Sequence, residues 1–522
     1  MNTPSGGMWR LVMAATLLLA PRGLVPGDTA LHAQKAPKPV AKPVITPTTS
    51  PSETAPPPNV IVLVVNDLGW QDLSVPLYRD TTAANRRYRT PGMEALAAAG
   101  VTFTEAYAAA PVGTPSRVAL LTGRAPVASG VTNSVGRRET DTSSAAFRSP
   151  AWNFNGLTAL SKSPRAFAGP LLPRLLRAAG YHTVHVGLTE WSAAGAPGSD
   201  AKSIGFDESM PGARRADVLT TDAIRAMNAA RALKQPFFLY LAYDAVRLPS
   251  EGDARFAVAV ADAVADAVAE RALDTRDALY ASLIAGVDQS VKDITRYLDD
   301  GGIAGQTIVM LLSDNGGLAT SARSGLRALQ NAPLKGGMGS AYEGGLRVPL
   351  IVRWPGVARA GLRSATPVML DDLFPTILRA ARVPNAAQYT RGVGARDLTG
   401  TLDNSSPLPP DRPLLWHYPH SADLPGMGLP AVAVEPFSAL RVGPWKLIYF
   451  YAGSRYELYN LASDLGESRE LSLKNMDVAA RLSDLLHRTL ESSHAQMPID
   501  AAYGRPITLP ARLLLPGPPP PF

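Results

Sequence analysis

No cysteine occurs anywhere in the 522 residues. That absence removes a disulfide framework, a thiolate metal site and an acylated cysteine anchor. Long apolar runs are missing too. The run near the N terminus, "LVMAATLLLA" after Arg10, has ten residues and is too short to cross a bilayer. The Ala-rich stretch 257–279 alternates acid with apolar residues, which predicts a helix with one solvated face and no membrane partner. Lys and Arg outnumber Asp and Glu by 51 to 44, for a net charge of +7. These cations are scattered, with no basic block, so nucleic acid is excluded as the expected partner and an anionic small molecule or glycan fits better. No internal repeat is present.

What is there has a clear order. Arg10 and its apolar run fit the core of a secretory signal, with small residues for cleavage near Ala33, so 1–33 is read as a leader and the protein as exported, periplasmic or secreted. An N-terminal tether is the alternative. Residues 34–58 are rich in Pro, Thr and Ser and predict an extended spacer. From Asn59, "NVIVLVVND" reads as a buried strand, "TPGMEALAAAGV" as a capped helix and "AGPLLPRLLRAAGYHTVHVG" as helix then strand. "PFFLYLAY" and "TIVMLLSDNGG" read as further buried strands. Apolar strands alternating with helices predict an α/β domain over 59–405, a large and mainly parallel sheet covered by helices on both faces. Over 406–500 the pattern changes to antiparallel strands and a helix near Val478 to Ser492, a smaller second domain, and 501–522 is a Pro-rich tail.

Ligands of a parallel sheet collect at the carboxyl ends of its strands. Two strands end there in oxygen-bearing pairs, Asn66-Asp67 and Asp314-Asn315, a hard-oxygen set suited to calcium or magnesium. Taken singly, such residues are as well explained by turn capping. In "APVGTPSRVALLTGR", Thr114 is a good N-cap and Pro115 suits the first helical position, so a helix N terminus with Arg117 in its first turn predicts an anion site. A nucleophile would belong at this loop–helix junction. The residue there is Gly113.

These segments resemble the sulfatases of the alkaline phosphatase superfamily, in order and from Pro58 to about Leu471. The resemblance is carried by "PNVIVLVVNDLGWQDL", "TPGMEALAAAGVTFTEAYAAAPVGTPSRVALLTGR", "YASLIAGVDQSVKDITRYLDDGG", "SDNGG", "LKGGMGSAYEGGLRVPLIVRWPG", "DDLFPTIL" and "RYELYNLASDLGES". It implies the alkaline phosphatase-like fold with a smaller C-terminal α+β domain. It also implies a cysteine or serine two residues before the signature proline, oxidised to a formylglycine whose geminal diol attacks sulfur and helps hold calcium.

At the implied reactive positions this sequence departs from the pattern. Gly113 stands at the formylglycine position and cannot be oxidised, so no formylglycine is expected. In "VGLTEW", Leu188 replaces a lysine and Glu190 a histidine; Arg247 replaces a second histidine, and Met338 another lysine. Asn66 replaces one of three calcium-binding aspartates. With Asp67 and Asp314 as the remaining carboxylates, calcium is expected to bind weakly or not at all, and Asn66→Asp to strengthen it. Arg117, Arg247 and Lys335 remain as candidate anion-binding cations, and Thr114 as a substitute nucleophile one position out of register.

The histidines supply no replacement. His182 and His185 alternate on a strand, His487 and His494 sit in or beside the last helix and are expected to be exposed, and His417 and His420 in "WHYPH" suit either sugar contacts or a structural role between the domains. The first reading is therefore a pseudo-sulfatase, catalytically silent, with a retained pocket for an anion or a sulfated glycan. An altered hydrolase using Thr114 or a metal-bound water, and a structural or interaction subunit, are the alternatives; the oligomeric state is not readable.

Overall fold

The computed structural model describes residues 56–133 (without 80, 82–84 and 87), 152–153, 169–191, 198–244 (without 213–214), 246, 275–318, 331–420 (without 393), 422–424, 432–500 and 505–514. The leader 1–33, the spacer as far as 55, Arg247, the Ala-rich segment before Thr275 and the last residues of the tail lie outside these.

Strand β1 (Asn59–Val65) is built almost wholly of Val, Ile and Leu and is buried on both faces, the pattern of a central parallel strand. Its neighbours are β5 (Phe237–Tyr243) and β6 (Thr307–Ser313), both parallel to it. Beyond β5 lie β3 (His182–Gly187) and β4 (Glu208–Pro211). Beyond β6 lie β7 (Arg347–Arg353), β2 (Val101–Tyr107) and β9 (Val368–Met369), and β8 (Leu362–Ser364) also pairs with β2. Among the described residues this sheet has nine strands, and β7 runs antiparallel to both its neighbours while the other pairings are parallel. The apolar residues of β1 divide by parity between two helix-covered cores, Val60, Val62 and Val64 into one and Ile61, Leu63 and Val65 into the other.

A second sheet is antiparallel throughout: β10 (Leu414–Tyr418), β11 (Phe437–Val442), β12 (Trp445–Phe450) and β13 (Arg455–Asn460). The helix Met476–Ser492 follows, two residues longer at its start than expected. Trp416, Phe437 and Ile448 of the small sheet share an apolar cluster with Tyr107 of the large one and with Val112 and Ala119, just before and within the helix Gly113–Thr122, and the Trp416 indole donates to the Ala108 carbonyl at 2.8 Å. The expected α/β architecture with a smaller C-terminal sheet is what the chain adopts.

Two helix starts differ from expectation. Helix α1 (Pro91–Ala98) follows Thr90, but the Thr90 side chain makes no capping bond; it pairs with Ser74 at 2.8 Å, and the Asp288 carboxylate caps the free amides of Gly92 and Met93 instead. Helix α2 (Gly113–Thr122) begins earlier than the Thr114 cap requires, with Val112 as the extended N-cap residue. Proline is tolerated throughout a first turn because none of those amides has an intrahelical acceptor, so Pro115 did not specify the starting residue. Ser116 ties the preceding loop down, its hydroxyl bonding both Ala110 N–H and Ala110 C=O at 3.0 and 3.1 Å. Gly123 ends the helix with φ 67°, a left-handed turn that suits glycine.

Candidate active site

Parallel register decides where the site lies. Val65 on β1 is level with Ser313 on β6 and with Tyr243 on β5, so the residues leaving these strands emerge side by side. From β1 come Asn66 and Asp67, from β6 Asp314 and Asn315, and from β5 Asp244. Asp67 turns back with φ 59°, donates its amide to Asp314 Oδ1 at 3.1 Å and accepts the Asn315 amide on Oδ1 at 2.8 Å. The two predicted pairs are therefore one constellation.

Helix α2 points its first turn at this edge, and Arg117 is its contribution. The guanidinium donates from Nε to Asp314 Oδ2 at 2.8 Å and from Nη2 to Asn66 Oδ1 at 2.6 Å, with Nη2 also 2.5 Å from Asp314 Oδ2. Nη1 reaches Glu190 at 3.5 Å. Arg117 is only 2% exposed, so these partners rather than water surround its charge. Burial disfavours the cation, but Asp314 and Glu190 outweigh it and hold the group firmly protonated.

Asp244 was not singled out by sequence reasoning, although it ends a buried strand just as Asp67 and Asp314 follow theirs. The Asn66 amide reaches Asp244 Oδ1 at 3.4 Å. The signal is present in "FFLYLAYD", a carboxylate directly after a buried strand.

Gly113 opens α2 directly against the pair. A Cβ at this position would lie 2.5 Å from Asp314 Oδ2 and 2.8 Å from Arg117 Nη2, closer than packed side chains sit. Thr114 is buried within the first helical turn. Leu188 is buried in an apolar cluster, and Glu190, about one-third exposed, stands at the solvent side of Arg117. Met338 rims the site: its amide donates to Gly317 O at 3.0 Å and that of Gly339 to Pro111 O at 2.8 Å, joining the loops that follow β6 and precede α2. Lys335 is directed elsewhere. Its ammonium lies 3.7 Å from the centre of the Tyr342 ring and 3.4 Å from Glu467 O, toward the small sheet, so it does not meet Arg117 or Glu190. Arg247 lies outside the described residues.

The oxygen set can be tested against a divalent ion, which in the case of calcium takes six to eight oxygens. Asn315 Oδ1 is buried without a hydrogen-bond partner and would suit one. Four other oxygens are already engaged: Asp314 Oδ2 and Asn66 Oδ1 face Arg117, and Asp314 Oδ1 and Asp67 Oδ1 each receive an N–H. Among the described residues no group of three or more His, Asp or Glu side chains is placed to share a metal ion.

Most of the described histidines are held by side-chain hydrogen bonds. His185 Nε2 donates to Leu188 O at 3.1 Å and its Nδ1 accepts from Ser209; His417 Nε2 donates to Gln496 O at 2.9 Å and its Nδ1 accepts from Ser438. His420 pairs with Thr132, and His182 with Glu208. His494 is exposed as expected, whereas His487 is half-buried and bonded to Pro510 O, because the segment after residue 505 lies against the last helix. Burial pushes the His185 and His417 imidazoles down to about 4. The unfolded chain takes up these protons near pH 6.5 and the folded chain does not, so the contribution of these two imidazoles to stability falls as the pH drops from 6.5 toward 4. The slope is up to about 1.4 kcal/mol per pH unit for each imidazole. Asp371 and Glu467, pushed up to about 7, act in the opposite sense over this range, so the histidine contribution is read as a difference. Urea unfolding at pH 7.5, 6 and 5 should show the unaltered protein losing stability relative to His185→Gln with His417→Gln as the pH falls, and parallel pH profiles would refute it.

Comparison with known proteins bears on this geometry. The family model described as Sulfatase matches residues 58–383, and that described as N-sulphoglucosamine sulphohydrolase, C-terminal, matches 339–496. The N-acetylgalactosamine-6-sulfatase of Sus scrofa is 29% identical over 371 residues, which is 62% of this chain and 62% of the porcine protein. A sulfatase of Formosa agariphila is 25% identical over 534 residues, 84% of this chain and 89% of that one. The crystal structure of Ps i-CgsB in complex with k-i-k-neocarrahexaose superposes with a TM-score of 0.64 at 22% identity, covering 84% of this chain and 94% of the other. A family match over more than half the chain, joined to the order of strands and the strand-end constellation, leads to one conclusion: the chain belongs to the sulfatase family, with its alkaline phosphatase-like fold.

Proposed function

We propose that this chain is a catalytically silent member of the family, an exported protein that keeps the scaffold and has given up ester hydrolysis. The observation that carries the reading is Gly113. It has no side chain to oxidise, and the space where one would stand is closed by Asp314 and Arg117. Leu188 and Met338 offer neither charge nor proton transfer, and Glu190 adds a negative charge where a departing sulfate ester would need donors.

The ligand proposed is an anionic or sulfated glycan, supported by the likeness to an N-acetylgalactosamine-6-sulfatase and to a structure in complex with k-i-k-neocarrahexaose. The geometry sets one condition on it. The contacts of Asn66 and Arg117 bring in the carboxylates of Asp244, Asp314 and Glu190, so a sulfate touching Arg117 must first displace a carboxylate. The leader at 1–33 and the spacer at 34–58 belong to the same proposal, as do the domain limits at 405 and 500. Among the described residues no helix is long and apolar enough to cross a membrane.

Purified full-length protein is expected to release no product from chromogenic sulfate and phosphate esters, with or without calcium, magnesium or manganese. Intact mass should carry no formylglycine. Turnover that survives stringent purification and disappears in Thr114→Ala would overturn the reading in favour of an altered hydrolase.

A further inference from the structure

The departures at 66, 113 and 190 look like separate losses along the sequence. In the structure they meet on one group. We propose that the Arg117 guanidinium is the resident cation of this site, seated on oxygens that a divalent metal would require, and that Gly113, Asn66 and Glu190 are a matched set that accommodates it.

Each member of the set answers to a contact. Gly113 provides room: a Cβ there would press on both Asp314 Oδ2 and Arg117 Nη2, at 2.5 and 2.8 Å, so the ion pair in this position calls for a glycine. Arg117 Nη2 is the far end of a flexible side chain, but here it is held by Asp314 and Asn66 and cannot yield without breaking those bonds. Asn66 provides an acceptor and a donor at once. Its carbonyl oxygen receives Arg117 at 2.6 Å while its amide faces Asp244 at 3.4 Å. An aspartate in its place would set two carboxylates against each other where the amide now makes a hydrogen bond. Glu190 provides the partner for the last guanidinium nitrogen, Nη1, at 3.5 Å. With Nε on Asp314, all three nitrogens of Arg117 have an oxygen partner from the chain itself.

This arrangement opposes a metal on two counts. Both Asp314 oxygens, Asn66 Oδ1 and Asp67 Oδ1 are turned to N–H donors, and a dication brought to Asp314 would stand beside a buried guanidinium of the same sign. The neutralisation that a metal would provide is already present, covalently attached and independent of the medium. The site is thus retuned around a fixed charge. The inference deepens the proposal of catalytic silence and rests on the same reading of Gly113, but its test reads metal and stability instead of turnover, so either can fail alone.

Calcium titration calorimetry and thermal unfolding on the full chain separate the possibilities, with manganese binding by electron paramagnetic resonance as an independent measure. The unaltered protein is expected to show no calcium-dependent rise in Tm. Asn66→Asp alone, which the sequence by itself led one to expect would strengthen calcium binding, is now expected to show none either, because Arg117 remains seated on residue 66 and on Asp314. Arg117→Ser, and more so Asn66→Asp with Arg117→Ser, should have a lowered Tm that calcium partly restores, with affinity at least about ten-fold above that of the unaltered protein. Micromolar calcium or manganese binding by the unaltered protein would overturn the proposal, as would strong binding by Asn66→Asp alone. These two results are available even if the Arg117 variants do not fold. An Arg117→Ser protein that folds and gains no metal affinity would overturn it as well.

Discussion

Lys446→Met is expected to lower the stability of this protein by about 3–5 kcal/mol, the usual effect of removing one partner from a fully buried ion pair. Lys446 lies on β12 and is completely buried, with Nζ 2.9 Å from Glu343 Oε1 and 3.0 Å from Glu467 Oε1. Glu343, equally buried, also receives the Tyr107 hydroxyl at 2.7 Å and lies 3.4 Å from Arg347. Burial alone would push its carboxyl up, yet Lys446, Arg347 and Arg441 pull it down to about 2, so it is ionised in the core. Glu467 is pushed up to about 7 by burial and by Glu343, against the pull of Lys446. Methionine fills the volume of the lysine stem but leaves these two carboxylates facing each other without their shared cation. Because Glu343 precedes β7 of the large sheet and Lys446 belongs to the small one, the loss should loosen the junction between the sheets. Urea unfolding at pH 8, where Glu467 is most often charged, is the sensitive measurement. A change below about 1 kcal/mol would show that the network is not what joins them.

Gly113→Cys, produced with a formylglycine-generating enzyme, should not restore sulfatase turnover. If the nucleophile were the single missing part, the intact "TPSR" and "LLTGR" that follow it would make this one change sufficient. Two obstacles remain. The added Cβ must displace Asp314 or Arg117, overpacking that costs about 1–3 kcal/mol of stability. The transition state would still lack cations and a leaving-group acid, because Leu188, Glu190 and Met338 cannot supply them, and preorganised electrostatics is usually the largest catalytic contribution. The comparison to make is the single variant against one that also carries Leu188→Lys, Glu190→His, Arg247→His, Met338→Lys and Asn66→Asp. Substantial turnover from Gly113→Cys alone, with conversion confirmed by mass spectrometry, would mean that the loss was confined to one side chain.

Much of the architecture is legible in the sequence. The strands β1, β5 and β6 announce themselves as short apolar runs because a strand covered on both faces has no solvated side to encode. Parallel strands deliver their following residues to one edge, so Asn66-Asp67 and Asp314-Asn315 could be assigned to a common site from chain order alone. The same rule applied to Asp244 would have added it. Helix starts were less legible. Thr90 and Thr114 look like caps by composition, but Thr90 is used by Ser74 and α1 is capped by Asp288, 196 residues from Gly92 in the chain.

The sequence by itself determined the sheet, its helical cover, the place of the site and the absence of an oxidisable side chain at 113, because each of these follows from local periodicity or from the chemistry of one residue. Only the tertiary structure decided where the charges go. Lys335, which the sequence offers as an anion-binding cation, spends its charge on Tyr342 and Glu467 O; Arg117 pairs with Asp314 across 197 residues, and Lys446 with Glu343 across 103. The reason is physical: a buried charge must find an opposite charge or a hydrogen bond within a few ångströms, and which partner stands that close is set by how sheets and helices pack, a relation between distant segments that no local pattern records.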